Sequence, residues 1–554
     1  MDLNLRIAGQ AGQGLESIGG LLVDTLAEMG HHVFSTQSYM SRIRGGLNWY
    51  DIRVGDDDLL SGRPDADLLV ALTKEALAAL RGDVVAGGRI LFNGATEDGV
   101  IGLEFEKIAQ EVSGSKIMAN TVAAGAVFSM LGYEVAHLSA QLEKRFGKKG
   151  AEVVAANTQC ARRGAELAAA QPGLPAAPRP TGAPTGICSG NEAVGLGAAT
   201  AGVKFVTSYP MTPSTGVFTF LAGAADHYGI VVEQAEDEIA AVNMVCGATY
   251  AGVPAMTTTS GGGFALMVEG LSLAGMLELP IFIFLGQRPG PATGLPTRTG
   301  QQDLRFAINA GHGEFPRAIY APGTPEQAYH LTRLAIETAH KFQTPAILLS
   351  DQFLADMRKN CVGLDPSYRP IDRHIAAAPP PDYLRYAVSA DGVSPRALPG
   401  SDAFVVVDSD EHAEDGHITE DLEARVRLQD KRMAKEKGLL AEALPPEWYG
   451  KDEPEQLLVC WGSTYGPCRE AVDRLNDAGS AAAMLHFSQV WPLEAERLRP
   501  LLGRAGRLHV VEGNATGQFA AVLRQTGAVG ECELLLRYDG MPFTGEEIAA
   551  RAAS

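Results

Sequence analysis

The sequence is poor in charged residues and in cysteine, and each shortage excludes a class of protein. Charged residues make up 20% of the 554 positions and hydrophobic residues 46%, a balance that supports packed cores and excludes wholesale disorder. Seven cysteines, an odd number without a close pair, exclude a disulfide scaffold. Basic residues are outnumbered 46 to 66, and the net charge of −20 argues against nucleic acid or an anionic membrane as a partner.

The sequence also lacks recognisable targeting and membrane-spanning segments. Its first residues, MDLNLRIAGQAGQG, have neither the basic nor the apolar region of a signal peptide. A charge-free stretch from Ile239 to Val268 is long enough to span a bilayer, but its Pro254 and three glycines favour a buried α/β segment. We therefore predict a soluble, cytoplasmic protein in a reducing compartment.

Two proline-rich stretches divide the chain. Because domains usually have about 100–200 residues, the length predicts about three of them. The stretch from Gln171 to Pro184 is typical of a semi-rigid, extended linker, and a second stretch lies around Pro379 to Pro399. The predicted divisions are domains at 1–170, 186–372 and 455–554, a linker at 171–185 and a connecting segment at 373–454.

Nearly half of the net charge lies in residues 402–455, which hold 16 acidic and 7 basic residues. Mixed charges recur at helical spacing from Thr419 to Leu444, a pattern that favours a solvated helix. A surface that docks a partner protein is the alternative.

Short β-rich runs alternate with helical stretches in all three predicted domains. This alternation, with glycine at the connecting turns, predicts α/β domains with doubly wound, mostly parallel sheets. Such sheets bind ligands at the carboxyl ends of their strands. The predicted strands are Leu3–Ala8, Asp67–Leu72, Arg89–Phe92, Val203–Ser208, Ile230–Val232, Ala255–Thr258, Ile281–Leu285, Ala346–Ser350, Gln456–Cys460, Ala482–His486 and Leu508–Glu512.

Two glycine-containing segments of the first domain are candidate binding loops. Gly9 to Gly14 has the spacing G-x-x-G-x-G rather than the G-x-G-x-x-G of dinucleotide-binding turns, which favours tight packing or the approach of a phosphate or acyl group. Ser41 to Gly46 holds Arg42 and Arg44 beside paired glycines, which suits a carboxylate or a phosphate. A surface loop with locally paired arginines is the alternative.

Polar side chains follow several predicted strands of the middle domain. Two prolines flank Thr212 and restrict the backbone, so its hydroxyl group is held at the carboxyl end of a strand. A carboxylate of the run Glu233 to Glu238 opens an otherwise charge-free helix from Ile239 to Tyr250. Its burial costs free energy unless it finds a partner, which makes it a functional candidate. An acid stabilised by the helix dipole is the alternative.

Taken in order, these stretches resemble the α subunit of 2-oxoacid:ferredoxin oxidoreductases, in the 2-oxoglutarate (2-oxoglutarate synthase) subgroup. The resemblance is colinear over nearly the whole chain, with a γ-type domain fused ahead of the α portion. Gly262 stands where the family commonly has Pro, Gly300 where it has an acid, and Arg298 where it often has Lys. The matching motifs are GQAGQG, SRIRGG, GNEAVGLGA, YPMTPST, EDEIAA, SGGGFALMVEG, QRPGPATGLPTRTGQQDL and YDGMPFT.

The resemblance implies thiamine diphosphate chemistry, with a γ-type, a pyrimidine-binding and a transketolase C-terminal-like domain in chain order. Glu238 matches the catalytic glutamate that hydrogen-bonds the pyrimidine ring and activates it. Thr212 matches the substrate-contacting threonine, Arg298 is the candidate for holding a substrate carboxylate, and Arg44 is a second. The implied cofactor-binding residues are Tyr209, Pro210, Glu238, Ser260 and Gly261, and no metal ligand is implied on this chain.

Two signatures of such enzymes are missing from the sequence. No GDG is followed by paired Asn, the usual diphosphate–Mg²⁺ signature, and no C-x₂-C pair suits iron–sulfur ligation. The resemblance therefore implies a β subunit that carries the diphosphate site, Mg²⁺ and a [4Fe–4S] cluster, in an (αβ)₂ assembly.

The implied reaction converts 2-oxoglutarate, CoA and oxidised ferredoxin to succinyl-CoA, CO₂ and reduced ferredoxin, in either direction. One alternative is the same chemistry on pyruvate or branched-chain 2-oxoacids, and another is a non-catalytic scaffold subunit. The presence of Glu238, Thr212 and two loop arginines argues against the scaffold. The glycine spacing argues against a nicotinamide-dependent dehydrogenase.

Overall fold

Contacts divide the chain into two units, as seen in a computed structural model that describes residues 1–40 and 46–554. Unit 1 comprises Met1–Cys188 and Met357–Val362, and unit 2 comprises Ser189–Asp356 and Gly363–Ser554. Across the described ranges, no helix is both long and apolar enough to cross a membrane.

Unit 1 is built on a mixed sheet. Its strands, in the described part of the chain, are β1 (Asp2–Gln10), β2 (His32–Ser38), β3 (Leu47–Gly55), β4 (Ala66–Ala71), β5 (Val84–Phe92), β6 (Ile101–Gly102), β7 (Gly186–Ser189) and β14 (Arg358–Cys361). They lie in the order β6-β5-β4-β1-β3-β2-β14-β7. The strands from β6 to β1 are parallel, whereas β3 is antiparallel to β1 and β2, and β14 is antiparallel to β2. The helices are α1 (Leu15–Glu28), α2 (Lys74–Leu80), α3 (Phe105–Ser113), α4 (Ala119–Met130), α5 (Ala136–Phe146) and α6 (Ala151–Ala169).

Unit 2 contains two sheets. Their strands are β8 (Phe205–Ser208), β9 (Val231–Gln234), β10 (Ala255–Thr259), β11 (Phe282–Gln287), β12 (Ala318–Tyr320), β13 (Ala346–Asp351), β15 (Glu447–Gly450), β16 (Gln456–Trp461), β17 (Ala482–Phe487), β18 (Gln489–Trp491), β19 (Arg507–Glu512) and β20 (Glu533–Leu536). The first sheet has the strand order β18-β12-β13-β11-β10-β8-β9, and the second has the order β15-β17-β16-β19-β20. Neighbours are parallel, apart from the antiparallel pairs β12–β18 and β15–β17. One apolar core runs through both sheets and includes Ile283, Leu349, Val459 and Phe519.

Helices cover both sheets of unit 2. They are α7 (Gly190–Ala201), α8 (Thr215–Tyr228), α9 (Glu238–Tyr250), α10 (Gly261–Leu266), α11 (Val268–Met276), α12 (Leu304–Asn309), α13 (Pro325–Phe342), α14 (Gln352–Asp356), α15 (Leu422–Ala441), α16 (Tyr465–Asp477), α17 (Ala495–Leu502), α18 (Gln518–Gln525) and α19 (Gly545–Ala552). The predicted α/β class with mostly parallel sheets is confirmed, and every predicted strand overlaps an observed one. The bounds of the predicted domains stay predictions.

The proline-rich stretch between the first two predicted domains lies along unit 1. Tyr133 donates a hydrogen bond from Oη to the Pro178 carbonyl at 2.6 Å, and Thr181 Oγ1 donates to the Asp56 carbonyl at 2.6 Å. The Gly182 N–H donates to the carbonyl of Gly30 at 3.0 Å. These bonds hold the extended chain in place along its length.

Helix α15, in the acidic connecting segment, buries basic residues, so the interpretation as a solvated helix is wrong for one of its faces. Lys431 and Lys435 are buried, and their Nζ atoms lie 2.8 Å and 2.6 Å from the carboxylate of the buried Glu278. Burial alone would raise the pKa of Glu278, but the two ammonium groups hold it well below its usual range. A residue distant in sequence thus fixes this helix to the segment between α11 and β11.

We expect Glu278→Gln to lower the thermal midpoint by about 5 °C. The neutral amide leaves two ammonium groups buried without a counter-ion, and removing one partner of a buried pair costs about 3–5 kcal/mol. Thermal unfolding of the purified protein, followed by circular dichroism, measures this shift.

Glu337→Gln, the same change at an exposed position of α13, is the matched control and should leave the midpoint unchanged. Replacing the three residues by Glu278→Leu, Lys431→Met and Lys435→Met should recover part of the loss, since both buried ammonium groups are then removed together with their counter-ion and only the Arg385 guanidinium keeps its charge. An unchanged midpoint in the Glu278 variant would contradict the account.

Candidate active site

The carboxyl ends of four adjacent parallel strands, β9, β8, β10 and β11, meet at one edge of the first sheet of unit 2. Each strand leads directly into residues that the sequence marked as candidates. At this edge Ser208 Oγ donates to the Thr258 carbonyl at 2.6 Å and so ties β8 to β10. The order of the strands therefore brings the residues that follow them to one edge of the sheet, which is where such sheets bind ligands.

Glu238 is the first residue of α9 and is buried at 3% exposure. Asp237 caps the helix, because its Oδ1 accepts from the Ala240 N–H at 2.7 Å, and this fixes the start of the helix. Among the described residues, the Oε1 atom of Glu238 has no hydrogen-bond partner. Burial raises the pKa of the Glu238 carboxyl group above its usual value, since the charged form is costly away from water.

Gly263 in α10 makes room for this carboxyl group. A Cβ atom at Gly263 would lie 2.3 Å from Glu238 Oε1 and 2.2 Å from Thr259 Oγ1, so a larger residue would displace one of them. Ser260, at the N-terminus of α10, is also buried, and its Oγ lacks a partner within the described chain. Glu238 Oε1 and Ser260 Oγ are therefore available to hydrogen-bond a small polar ring near the glycine-rich start of α10.

Thr212 lies in the turn that follows β8. Its carbonyl oxygen accepts from Arg288 Nη1 at 2.8 Å, which connects this turn to the loop after β11. Ser214 Oγ donates to the Met211 carbonyl at 2.7 Å and closes the turn. Tyr209 is 41% exposed and Pro210 is partly buried, so these two predicted cofactor residues lie nearer the surface than Glu238.

Two charged residues at the same edge, Arg288 and Asp303, were not predicted as site residues. The Oδ2 of Asp303 is buried without a hydrogen-bond partner in the described residues, and a Cβ atom at Gly261 would lie 2.6 Å from it. Burial raises the pKa of Asp303 to about 6, and the nearby Arg288 guanidinium opposes this shift. Asp303 lies near the end of the motif QRPGPATGLPTRTGQQDL, which begins at the last residue of β11. Its place in a loop that follows a strand was the one feature of the sequence that could have marked it as a site residue.

Arg298 lies in the far part of the loop after β11. Its stem packs on the turn at Gly540, where a Cβ atom would lie 3.0 Å from the Arg298 Cβ, and its Nη1 lies 3.6 Å from Met541 Sδ. Burial lowers the pKa of Arg298, opposed by the charge of Asp539. One loop therefore connects the edge that holds Thr212 to the end of the C-terminal sheet.

Arg44, the second predicted substrate residue, lies outside the described residues and stays a prediction.

In unit 1 the turn Gly9–Gly14 leads from β1 to α1, and Gly12 and Gly14 adopt φ of 87° and 74° that favour glycine. Among the described residues, no group of three or more His, Cys, Asp or Glu side chains is arranged to hold a metal ion.

Comparison with known proteins identifies the family. The family described as "Pyruvate ferredoxin/flavodoxin oxidoreductase" matches residues 4–167, and "Pyruvate flavodoxin/ferredoxin oxidoreductase, thiamine diP-bdg" matches residues 196–431. The 2-oxoacid:ferredoxin oxidoreductase 2, subunit alpha, of Aeropyrum pernix is 30% identical, covering 99% of this chain and 97% of its own. The chain belongs to the 2-oxoacid:ferredoxin oxidoreductase family. As an α subunit of this family it has a thiamine diphosphate-binding domain, which contains Thr212, Glu238 and Arg298.

Two further proteins of this group are similar over almost the whole chain. The 2-oxoglutarate oxidoreductase subunit KorA of Mycobacterium tuberculosis is 29% identical over 98% of this chain and 90% of its own. The solved structure of 2-oxoglutarate:ferredoxin oxidoreductase from Magnetococcus marinus, with 2-oxoglutarate, coenzyme A and succinyl-CoA bound, has a TM-score of 0.93. It is 31% identical and the match covers 100% of this chain and 99% of that one. The predicted family is confirmed.

The raised pKa of Asp303 predicts a pH-dependent stability. Its pKa of about 6 in the folded protein exceeds the usual 3.8, so its stabilising contribution is complete below pH 3.8 and is lost as the pH rises through 6. Asp303→Asn removes this loss. We expect the thermal midpoint of the variant relative to the native protein to rise by about 5 °C between pH 4 and pH 7.

Thermal midpoints of both proteins across this pH range measure the difference. Asp226→Asn, the same substitution at an exposed position of α8, is the control and should give a difference that is flat with pH. If the difference in midpoint between the Asp303 variant and the native protein does not change with pH, the Asp303 carboxyl group of the native protein is not kept from water.

Proposed function

We propose that this chain is the α subunit of a 2-oxoglutarate:ferredoxin oxidoreductase that uses thiamine diphosphate and CoA. The observation that carries the proposal is the buried carboxyl group of Glu238, whose Oε1 atom has no hydrogen-bond partner in the described chain. In the reaction, the bond from the carboxylate to the keto carbon breaks and releases CO₂. The acyl group forms a thioester with CoA, and two electrons pass to ferredoxin while one proton is released.

The surroundings of Glu238 fit the pyrimidine ring of thiamine diphosphate. The ring presents a nitrogen that hydrogen-bonds a carboxyl group, and the unpartnered Oε1 supplies that group beside the space left by Gly263. When bound, thiamine diphosphate supplies a carbon nucleophile for the keto group and takes up the electron pair left by decarboxylation. Glu238 holds a proton at Oε1 against the ring nitrogen, which the raised pKa of its carboxyl group favours. Ser260 and Gly261 line the adjoining turn.

Thr212 and Arg298 orient the substrate in this proposal. The Thr212 hydroxyl hydrogen-bonds the 2-oxoacid end, and the Arg298 guanidinium binds the distal carboxylate, for which its planar pair of donors is suited. Arg44 is the second cation. The bound 2-oxoglutarate of the Magnetococcus marinus enzyme, 31% identical to this chain, supports a dicarboxylic substrate. Pyruvate and branched-chain 2-oxoacids lack the distal carboxylate and are the alternative substrates.

A β subunit that carries the diphosphate site, Mg²⁺ and a [4Fe–4S] cluster completes the enzyme in this proposal, as an (αβ)₂ assembly. Large apolar side chains stay exposed on β9, α9 and α10: Val231 at 61%, Ile239 at 49%, Met244 at 41% and Leu266 at 49%. Exposed apolar side chains on neighbouring elements are typical of a surface that another protein covers, which supports a partner beside the cofactor site.

We expect Glu238→Gln to lower turnover by about 100-fold or more, because the amide cannot hold a transferable proton against the ring nitrogen. The measurement is CoA-dependent reduction of a viologen dye by the holoenzyme with 2-oxoglutarate. Glu236→Gln, the same change at an exposed position two residues earlier, is the control and should retain turnover within about threefold. Unchanged turnover in the Glu238 variant would overturn its assigned role.

We expect Arg298→Ala to raise the KM for 2-oxoglutarate by about 100-fold and to leave the KM for 2-oxobutyrate within about threefold, since only the first substrate has a distal carboxylate. Steady-state kinetics with both substrates test this, with Arg305→Ala, at an exposed position of α12, as the control. Equal losses with both substrates would exclude a role for Arg298 in substrate choice.

A further inference from the structure

The loop that carries Arg298 is fastened to the carboxyl ends of the C-terminal strands at three places. They involve Thr299, Gln301 and the turn at Gly540, and we call them together the loop clamp. The motif YDGMPFT, which contains Gly540, has no part in the chemistry described above. The clamp gives this motif a role.

The first part of the clamp is the carboxyl group of Asp351, at the end of β13. This residue is 1% exposed. Its Oδ1 accepts from Thr299 Oγ1 at 3.2 Å and from the Leu354 N–H at 3.1 Å, while its Oδ2 accepts from Ser463 Oγ. Ser463 lies two residues after the end of β16, so one buried carboxyl group joins the loop to both sheets of unit 2.

The second part is the buried side chain of Gln301. Its backbone N–H donates to the Gly513 carbonyl at 2.7 Å, and its Oε1 accepts from the Gly513 N–H at 2.8 Å. Its Nε2 donates to the Trp461 carbonyl at 2.9 Å. Gln301 thus pairs with the ends of β16 and β19 through both of its side-chain polar atoms.

The third part is the turn at Gly540, which adopts φ of 89°. The Thr299 N–H donates to the Gly540 carbonyl at 3.1 Å, and the missing side chain of Gly540 leaves room for the stem of Arg298. A Cβ atom at Gly540 would lie 3.0 Å from the Arg298 Cβ and 3.3 Å from its Cγ. The Gly540 turn therefore holds Arg298 in two ways: it packs against the side-chain stem of Arg298, and it hydrogen-bonds the backbone N–H of the next residue.

We propose that the loop clamp positions Arg298 and thereby sets the preference for a dicarboxylic 2-oxoacid. The inference rests on the proposed function of Arg298. The loop from Arg288 to Gln302 contains few apolar side chains that could hold it by packing. A guanidinium on an unfastened loop would lose conformational entropy on binding, whereas a positioned one is already ordered. Thr299, Asp351 and Gly540 are positioning residues that act through Arg298.

The test is Thr299→Val in the holoenzyme, a nearly isosteric change that removes the hydroxyl bonded to Asp351. We expect the KM for 2-oxoglutarate to rise about tenfold, with kcat and the KM for 2-oxobutyrate within about threefold. Thr299→Ser, which keeps the hydroxyl, should restore the native KM. Gly540→Ala, which crowds the Arg298 stem, should shift the same ratio of KM values in the same direction.

Thr332→Val on α13 is the control, because it makes the same substitution at a buried hydroxyl that bonds the Ala328 carbonyl, and its KM values should be native. Ser463→Ala replaces Thr299→Val if that variant does not fold. If Arg298→Ala raises the KM for 2-oxoglutarate while none of the clamp variants does, the clamp is wrong and the proposed function stands. If Arg298→Ala has no selective effect, both the clamp and the proposed role of Arg298 in substrate choice are wrong.

Discussion

The site depends on a buried carboxyl group, that of Glu238, whose Oε1 atom has no hydrogen-bond partner among the described residues. Glu238 stays in this position because Asp237 caps the helix that it begins, and because Gly263 leaves space against its Oε1. An isolated chain gains nothing from such an arrangement, since burial of an unsatisfied polar group costs free energy. A bound ring nitrogen would remove this cost, so the local penalty and the proposed cofactor chemistry have the same cause.

Elsewhere in unit 2, buried charges hold distant segments together. Glu278 fixes α15 through Lys431 and Lys435, and Asp351 joins the loop of Arg298 to the C-terminal sheet. Both acids have hydrogen-bond partners at each carboxylate oxygen, in contrast to Oε1 of Glu238 in the described chain. The same chemical group therefore has a structural use in one place and a proposed functional use in another, and the number of partners around it differs between the two.

The sequence predicted the parts of the fold in which local pattern and environment agree. The parallel strands are short apolar runs, and Glu238 stood out because it precedes a charge-free helix. The buried face of α15 could not be predicted, because its lysines are matched by a glutamate more than a hundred residues away. Strand β14, with the polar sequence RKNC, has its pairing partner β2 still farther away. Asp303 gave no periodic signal, since it follows an irregular loop.

Strand β14 also determines how the two units are joined. The chain leaves unit 1 after Cys188, returns for Met357–Val362 and leaves again, so it crosses between the units three times. In the sheet order, this returning strand lies between β2 and β7. A gene cut at the proline-rich stretch would therefore separate the N-terminal fragment from two strands of its own sheet and leave the edge of β2 open. Expressing the N-terminal fragment alone would therefore require a way to protect this edge as well as a new stop codon.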